Sequence, residues 1–365
     1  MSCDFIALAN GGVQGLQPYQ PGKPIEELQR ELGLDHIIKL ASNENPLGPS
    51  QKVIAACESA YPSLCLYPDG SGFELKNTLA KKLNVQTEQI TLGNGSNELL
   101  DSIGRTYLRP GTNAVYSQHA FIVYAIATQA NGAEAKVAPA KNWGHDLDAM
   151  LAAIDENTRV VFIANPNNPT GTQLTESELK RFLDRVRKDI IVVLDEAYIE
   201  YVAGDGFPDG IALQRRYENL VVTRTFSKAY GLASLRVGYS ISNPQIADML
   251  NRIRPPFNVN SLGLVAAQAV LDDEEYLLRS RKVNEDGMRQ LEEGVTALDL
   301  SYIPSAGNFL AVGFEGDTQK IYQQMLRLGV IIRPVGVYEM PQHLRITIGM
   351  PEENEVCLRA LKAIL

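Results

Sequence analysis

Thr225-Phe226-Ser227-Lys228-Ala229-Tyr230-Gly231-Leu232-Ala233-Ser234-Leu235-Arg236 is the stretch that decides the fold. It follows the apolar run Leu220 to Thr223, and it puts hydroxyls, a lysine, a glycine and an arginine just beyond a short buried strand. In open α/β sheets the residues past the carboxyl ends of strands line the ligand crevice. A lysine held there loses its proton by desolvation and becomes an imine-forming nucleophile. A lone lysine is usually only a solvated cation, so its neighbours must decide.

Those neighbours repeat the arrangement. Leu194-Asp195-Glu196-Ala197-Tyr198 follows Ile190 to Leu194, a run apolar at every position, as expected of a strand buried on both faces. As an isolated feature Asp195 would read as a helix N-cap. Asn165-Pro166-Asn167-Asn168-Pro169-Thr170-Gly171 follows Val160 to Ala164; by itself it would be a surface turn. Gly93-Asn94-Gly95-Ser96-Asn97-Glu98 follows Ile90 to Leu92 and opens a helix, whose free N–H groups suit an anion. It lacks the third glycine and the later acid of a dinucleotide fingerprint.

Further strands are expected at Ala114 to Tyr116, Ala135 to Val137 and Arg236 to Ile241, with amphipathic helices between, such as Thr175 to Arg187 with its Thr175–Glu178 capping-box spacing. This alternation predicts an α/β fold with a mostly parallel seven-stranded sheet between helices. After Arg254-Pro255-Pro256 the pattern changes to one long helical stretch, Leu262 to Leu291, and strands near Asn308 to Val312 and Leu344 to Ile348. We therefore expect an N-terminal arm (1–40) with a helical patch at Ile25 to Leu32, a large domain (41–256) and a smaller α+β domain (257–365).

Composition excludes several classes. Lys and Arg number 34 against 43 Asp and Glu, a net charge of −9 without basic blocks, which argues against a nucleic-acid or anionic-membrane partner. No apolar run approaches the ~20 residues that span a bilayer. The start, Met1-Ser2-Cys3-Asp4, has neither a basic segment nor a long apolar one, so no signal peptide is expected. The four cysteines are scattered, which indicates neither a zinc site nor a disulfide framework. A cytoplasmic protein without a metal is the expectation.

Taken together and in this order, the four strand-end motifs resemble the pyridoxal-phosphate-dependent aminotransferases of fold type I over nearly the whole chain. Within them, the stretch from Thr225 to Tyr239 is similar to the histidinol-phosphate branch. So are Leu40-Ala41-Ser42-Asn43-Glu44-Asn45-Pro46-Leu47-Gly48-Pro49 and Tyr67-Pro68-Asp69-Gly70. Ser234 departs from the branch, which has glycine there.

The resemblance implies roles. Lys228 would carry the cofactor, pyridoxal 5′-phosphate, and then move the proton at the reacting carbon. Asp195 would pair with the pyridine nitrogen, and Tyr198 and Asn168 would bind the ring's phenolic oxygen. Gly95, Ser96 and Asn97 would seat the phosphate, helped by Thr225, Ser227 and Arg236, with Phe121 stacked on the ring. Tyr67 would reach the phosphate of the partner subunit, so a homodimer is implied. Arg345 would grip the substrate carboxylate or phosphate, Arg333 the phosphate, and Tyr19 and Asn45 would close the pocket from the arm. The implied reaction exchanges an amino group between L-histidinol phosphate and 2-oxoglutarate, giving imidazole acetol phosphate and L-glutamate. An aromatic aminotransferase, a threonine-phosphate decarboxylase and a non-catalytic cofactor-sensing module remain as alternatives.

Overall fold

The computed structural model describes residues 3–202, 204 and 206–365. All seven expected strands join one sheet, in the order Ile90–Gly93, Gly238–Ile241, Leu220–Thr225, Ile191–Asp195, Thr158–Ala164, Asn113–Ser117, Glu134–Ala138. Every pair is parallel except those of Gly238–Ile241, which runs antiparallel to both neighbours. That strand begins two residues later than the run from Arg236 suggested, because Arg236 sits in the left-handed region (φ 55°) and ends a short 3₁₀ turn. Val160 to Ile163, Val192 to Leu194 and Leu220 to Val222 are fully buried, since helices cover both faces.

Register brings the strand ends to one edge. Gly238 is paired with both Gly93 and Thr225, Asp195 with Thr223, and Ala164 with Asp195. The segments that leave these ends are the four motifs. Helix Glu176–Arg185 starts at Thr175 with the reciprocal Thr175–Glu178 cap, which satisfies its first free N–H groups.

A second sheet is antiparallel, ordered Ser301–Ile303, Phe309–Gly313, His343–Thr347, Arg333–Pro334. The arm contributes helix Ile25–Leu32 and a two-residue strand, Ile38–Lys39, parallel to Val330–Ile331. The single helix expected from Leu262 to Leu291 is two, Ser261–Leu271 and Glu274–Thr296. The break falls where Asp273 turns its side chain to cap Tyr276 N–H.

This break also moves the junction between the two halves. Val259, Ala266, Ala267, Val270, Leu271 and Tyr276 belong to the core of the large sheet, whereas Met288, Leu291 and Val295 belong to the core under the small one. The division expected at 256 therefore lies ahead of the packed boundary, which falls inside helix Glu274–Thr296. The Pro255-Pro256 pair does end helix Pro244–Ile253, but the chain returns to the same core afterwards.

Candidate active site

The cleft between the two sheets holds a cavity of about 180 Å³ that opens to solvent. Tyr19, Ser96, Asn97, Phe121, Asn168, Asp195, Tyr198, Thr225, Ser227, Lys228, Arg236, Arg333 and Arg345 all line it. Lys228 Nζ donates to the carbonyl of Ser42 at 3.0 Å and lies 5.8 Å from the centre of the Tyr198 ring. Loss of hydration, with the nearby guanidiniums of Arg345 and Arg236, brings its pKa down to about 7. A neutral amine is thus available near pH 7.

Asp195 ends its strand with a carboxylate that is only 4% exposed. Oδ1 accepts from the Thr223 hydroxyl at 3.0 Å and Oδ2 from the Tyr124 hydroxyl at 2.9 Å. Burial raises its pKa to about 6, and the two hydroxyls oppose that rise. Tyr124 is itself fixed by a stacked Phe162 ring at 4.8 Å and an edge-on Phe121 ring at 5.9 Å. Neither Tyr124 nor Thr223 stood out in the sequence. The signal for Tyr124 was its place three residues after Phe121, one helical turn on.

The Asn-Pro segment is no surface turn. Asn165 and Asn167 are buried: Asn165 Oδ1 accepts from Leu174 N–H at 2.8 Å, and Asn167 Nδ2 donates to Thr170 Oγ1 at 2.8 Å. These bonds hold Asn168 against the cleft, where its Oδ1 accepts from Arg345 Nη1. Arg345 Nη2 donates to the Ala41 carbonyl at 2.8 Å, while its buried Nε has no partner. A desolvated guanidinium with an unsatisfied N–H is a built receptor for an anion.

The phosphate cradle lies at the other end of the cleft. Gly95 has φ 81°, and a Cβ there would strike the Arg236 guanidinium. Arg236 Nη1 also donates to Ser227 Oγ at 3.2 Å, and helix Ser96–Tyr107 directs its N-terminus to the same spot. The closest approach of backbone to guanidinium is therefore possible only without a side chain at Gly95.

Two expected pocket residues stand elsewhere. Asn45 braces the fold: Nδ2 donates to Ala229 O at 2.9 Å and Ser280 Oγ at 2.8 Å, and Oδ1 accepts from Leu47 N–H. Its neighbour Asn43 lines the cleft instead, donating to the Tyr198 hydroxyl at 2.9 Å. Asn43 and Asn45 stand two residues apart with different partners, and the sequence alone does not say which faces the cleft. Tyr67 does not line this chain's own cleft; it is 83% exposed and stacked on Phe257 at 4.8 Å.

The donor set fits a phosphorylated pyridine aldehyde: an amine to join it, a buried carboxylate for a ring nitrogen, and a guanidinium with a helix terminus for phosphate.

Relatives share this architecture. The profile of the family Aminotransferase class I and II matches residues 35–364. Histidinol-phosphate aminotransferase 2 of Pseudomonas fluorescens (strain Pf0-1) is 60% identical, covering 100% of this chain and 99% of its own. Histidinol-phosphate aminotransferase 1 of Idiomarina loihiensis is 53% identical over 98% of each. Among solved structures, histidinol-phosphate aminotransferase from Sinorhizobium meliloti in complex with pyridoxal-5′-phosphate superposes with a TM-score of 0.89 at 29% identity, covering 97% of this chain and 98% of that one. With a family match over residues 35–364 added to a lysine, a carboxylate and an anion cradle in one cleft, the chain belongs to the class I and II aminotransferases.

Proposed function

We propose that this chain is a pyridoxal-phosphate-dependent transaminase that interconverts L-histidinol phosphate and 2-oxoglutarate with imidazole acetol phosphate and L-glutamate, a step of histidine biosynthesis. The observation that carries the substrate class is the pairing of Arg333 with Arg345 over the Lys228 cleft, in a chain 60% identical to histidinol-phosphate aminotransferases end to end. Two guanidiniums match substrates that bear a phosphate or two carboxylates.

When bound, pyridoxal phosphate supplies the electron sink for the carbon that loses its proton. The chain supplies the rest. Lys228 Nζ, partly deprotonated near pH 7, would hold the cofactor and would carry the proton that leaves and returns at the substrate carbon. Asp195 orients the ring through its nitrogen. Tyr198 and Asn168 would donate to the phenolic oxygen, and Phe121 would cover one ring face. Gly95, Ser96, Asn97, Thr225, Ser227 and Arg236 hold the phosphate. Arg345 takes the carboxylate of glutamate and 2-oxoglutarate or the phosphate of the other substrate, and Arg333, whose guanidinium lies 5.8 Å from the centre of the Tyr19 ring, adds a second grip on that phosphate.

A homodimer supported by the exposed Leu64, Leu66, Tyr67, Phe73 and Phe257 would place Tyr67 at the partner's cofactor phosphate. We place the enzyme in the cytoplasm; among the described residues no helix is long and apolar enough to cross a membrane. Measuring kcat/KM for histidinol phosphate, phenylalanine and threonine phosphate side by side tests the substrate. Histidinol phosphate should lead, and a preference for either of the others would overturn the assignment.

A further inference from the structure

Strand His343–Thr347 carries Arg345 and Thr347 two residues apart, so both side chains leave the same face. Thr347 is 3% exposed and meets Asn43, 1% exposed, through a closed pair of bonds. Asn43 N–H donates to Thr347 Oγ1 at 2.9 Å, and Thr347 Oγ1 donates to Asn43 Oδ1 at 3.1 Å. The threonine hydroxyl thereby fixes which way the amide points, with its oxygen to Thr347 and its Nδ2 to the Tyr198 hydroxyl at 2.9 Å. The Tyr198 oxygen is occupied as an acceptor, so its own proton is left to face the cleft. Asn43 holds this position at φ 53°, a conformation asparagine tolerates better than most residues.

We propose that Asn43 and Thr347 are positioning residues that aim the Tyr198 proton at the phenolic oxygen of the cofactor. They tie that contact to the strand that recognises the substrate anion. A hydroxyl that accepts a hydrogen bond donates a stronger one, so the Asn43 amide also strengthens Tyr198 as a donor. The groups facing Tyr198 are otherwise Arg345, Asp195, Tyr338 and Lys228, none of which donates to its oxygen. Arg345 and Thr347 share one strand, so an anion that shifts Arg345 also bears on Asn43 and Tyr198. This inference rests on the placement of Tyr198 at the phenolic oxygen.

The test is a pH titration of the visible absorbance of the bound cofactor in the holoenzyme, with cofactor affinity measured alongside. Tyr198→Phe sets the scale. Thr347→Val removes the hydroxyl at constant shape, Thr347→Ser restores it, and Asn43→Gly removes the amide at a residue that accepts φ 53°. Thr347→Val and Asn43→Gly should move the titration midpoint by about half a pH unit or more, in the direction of Tyr198→Phe, as expected for one lost hydrogen bond. Thr347→Ser should return it toward the parent, and Asn43→Gly should add nothing in a Tyr198→Phe background. A midpoint unmoved by Thr347→Val and Asn43→Gly, with Tyr198→Phe shifted, overturns the inference alone. A midpoint unmoved by Tyr198→Phe overturns the placement of Tyr198 as well.

Discussion

Arg333 and Arg345 are register partners on adjacent antiparallel strands, and both line the cleft. Like charges directly opposite each other on a sheet repel. The repulsion is tolerable because Arg333 also donates to the Gln20 carbonyl at 2.6 Å and Arg345 to Ala41 and Asn168. An anion between them relieves it.

Separating the two arginines by substrate follows from their surroundings. Arg345→Lys should lower kcat/KM about tenfold to a hundredfold for glutamate and histidinol phosphate alike, since one ammonium cannot replace a forked donor. Arg333→Ala should cost histidinol phosphate much more than glutamate. Equal losses for both substrates in steady-state assays would remove Arg333 from the phosphate.

The Asp195 carboxylate should impose a pH dependence on cofactor binding. Its pKa of about 6 means that acid protonates it in the cofactor-free protein and removes the partner of the ring nitrogen. The dissociation constant of the cofactor should rise as pH falls through about 6 in the parent, more steeply than in Asp195→Asn. Parallel curves from fluorescence titrations would show that Asp195 does not govern binding there.

Lys228 should make stability, too, rise with pH. Between about 7 and its ordinary 10.5, the unfolded chain keeps a proton on this amine that the folded chain sheds. The unfolded state binds more protons, so stability rises with pH across that window. Lys228→Met should abolish transamination. Without cofactor, it should raise the melting temperature over the parent most at about pH 6, with the gain shrinking toward pH 10. A constant difference across pH would contradict a desolvated amine.

Buried charge behind the sheet sets another expectation. Arg224 donates to Glu196 through Nε and Nη2 at 2.8 Å, and Glu196 is fully buried. Arg224→Met should cost about 3–5 kcal/mol by leaving the carboxylate unpaired, and Glu196→Met added to it should recover much of the loss. Chemical denaturation of the single and double variants measures both.

A shared active site can be tested by mixing subunits. Lys228→Ala and Tyr67→Ala dimers are each expected to be weak or inactive. Co-refolded, they should regain activity, because one site of the mixed dimer keeps its own Lys228 and the partner's intact tyrosine. No recovery would refute the exchange of Tyr67.

The centre of the sheet was legible because its strands there run apolar at consecutive positions and end in polar punctuation, as at Leu194-Asp195 and Thr225-Phe226-Ser227. Local pattern failed where tertiary contact decides. Asp272-Asp273 reads as two ordinary polar residues inside a helix until Asp273 is seen capping the next one. Asn43 and Asn45 have the same side chain, and only the partners Tyr198 and Ser280, distant in sequence, separate them. Tyr124 hides in an apolar helix where its ring is expected, and its hydroxyl is informative only against Asp195.

The passage of helix Glu274–Thr296 from one core to the other means that the two halves cannot be made as independent pieces. A fragment starting at residue 257 would present Ala266, Ala267, Val270 and Leu271 to water, and one ending at 256 would lose helix Ser261–Leu271, which packs over helix Gln51–Ala60. Expression of either alone should give aggregated protein. Engineers who exchange small domains between relatives must match both faces of this helix, because a splice after it parts Met288, Leu291 and Val295 from their core and one before it parts Tyr276 from the other.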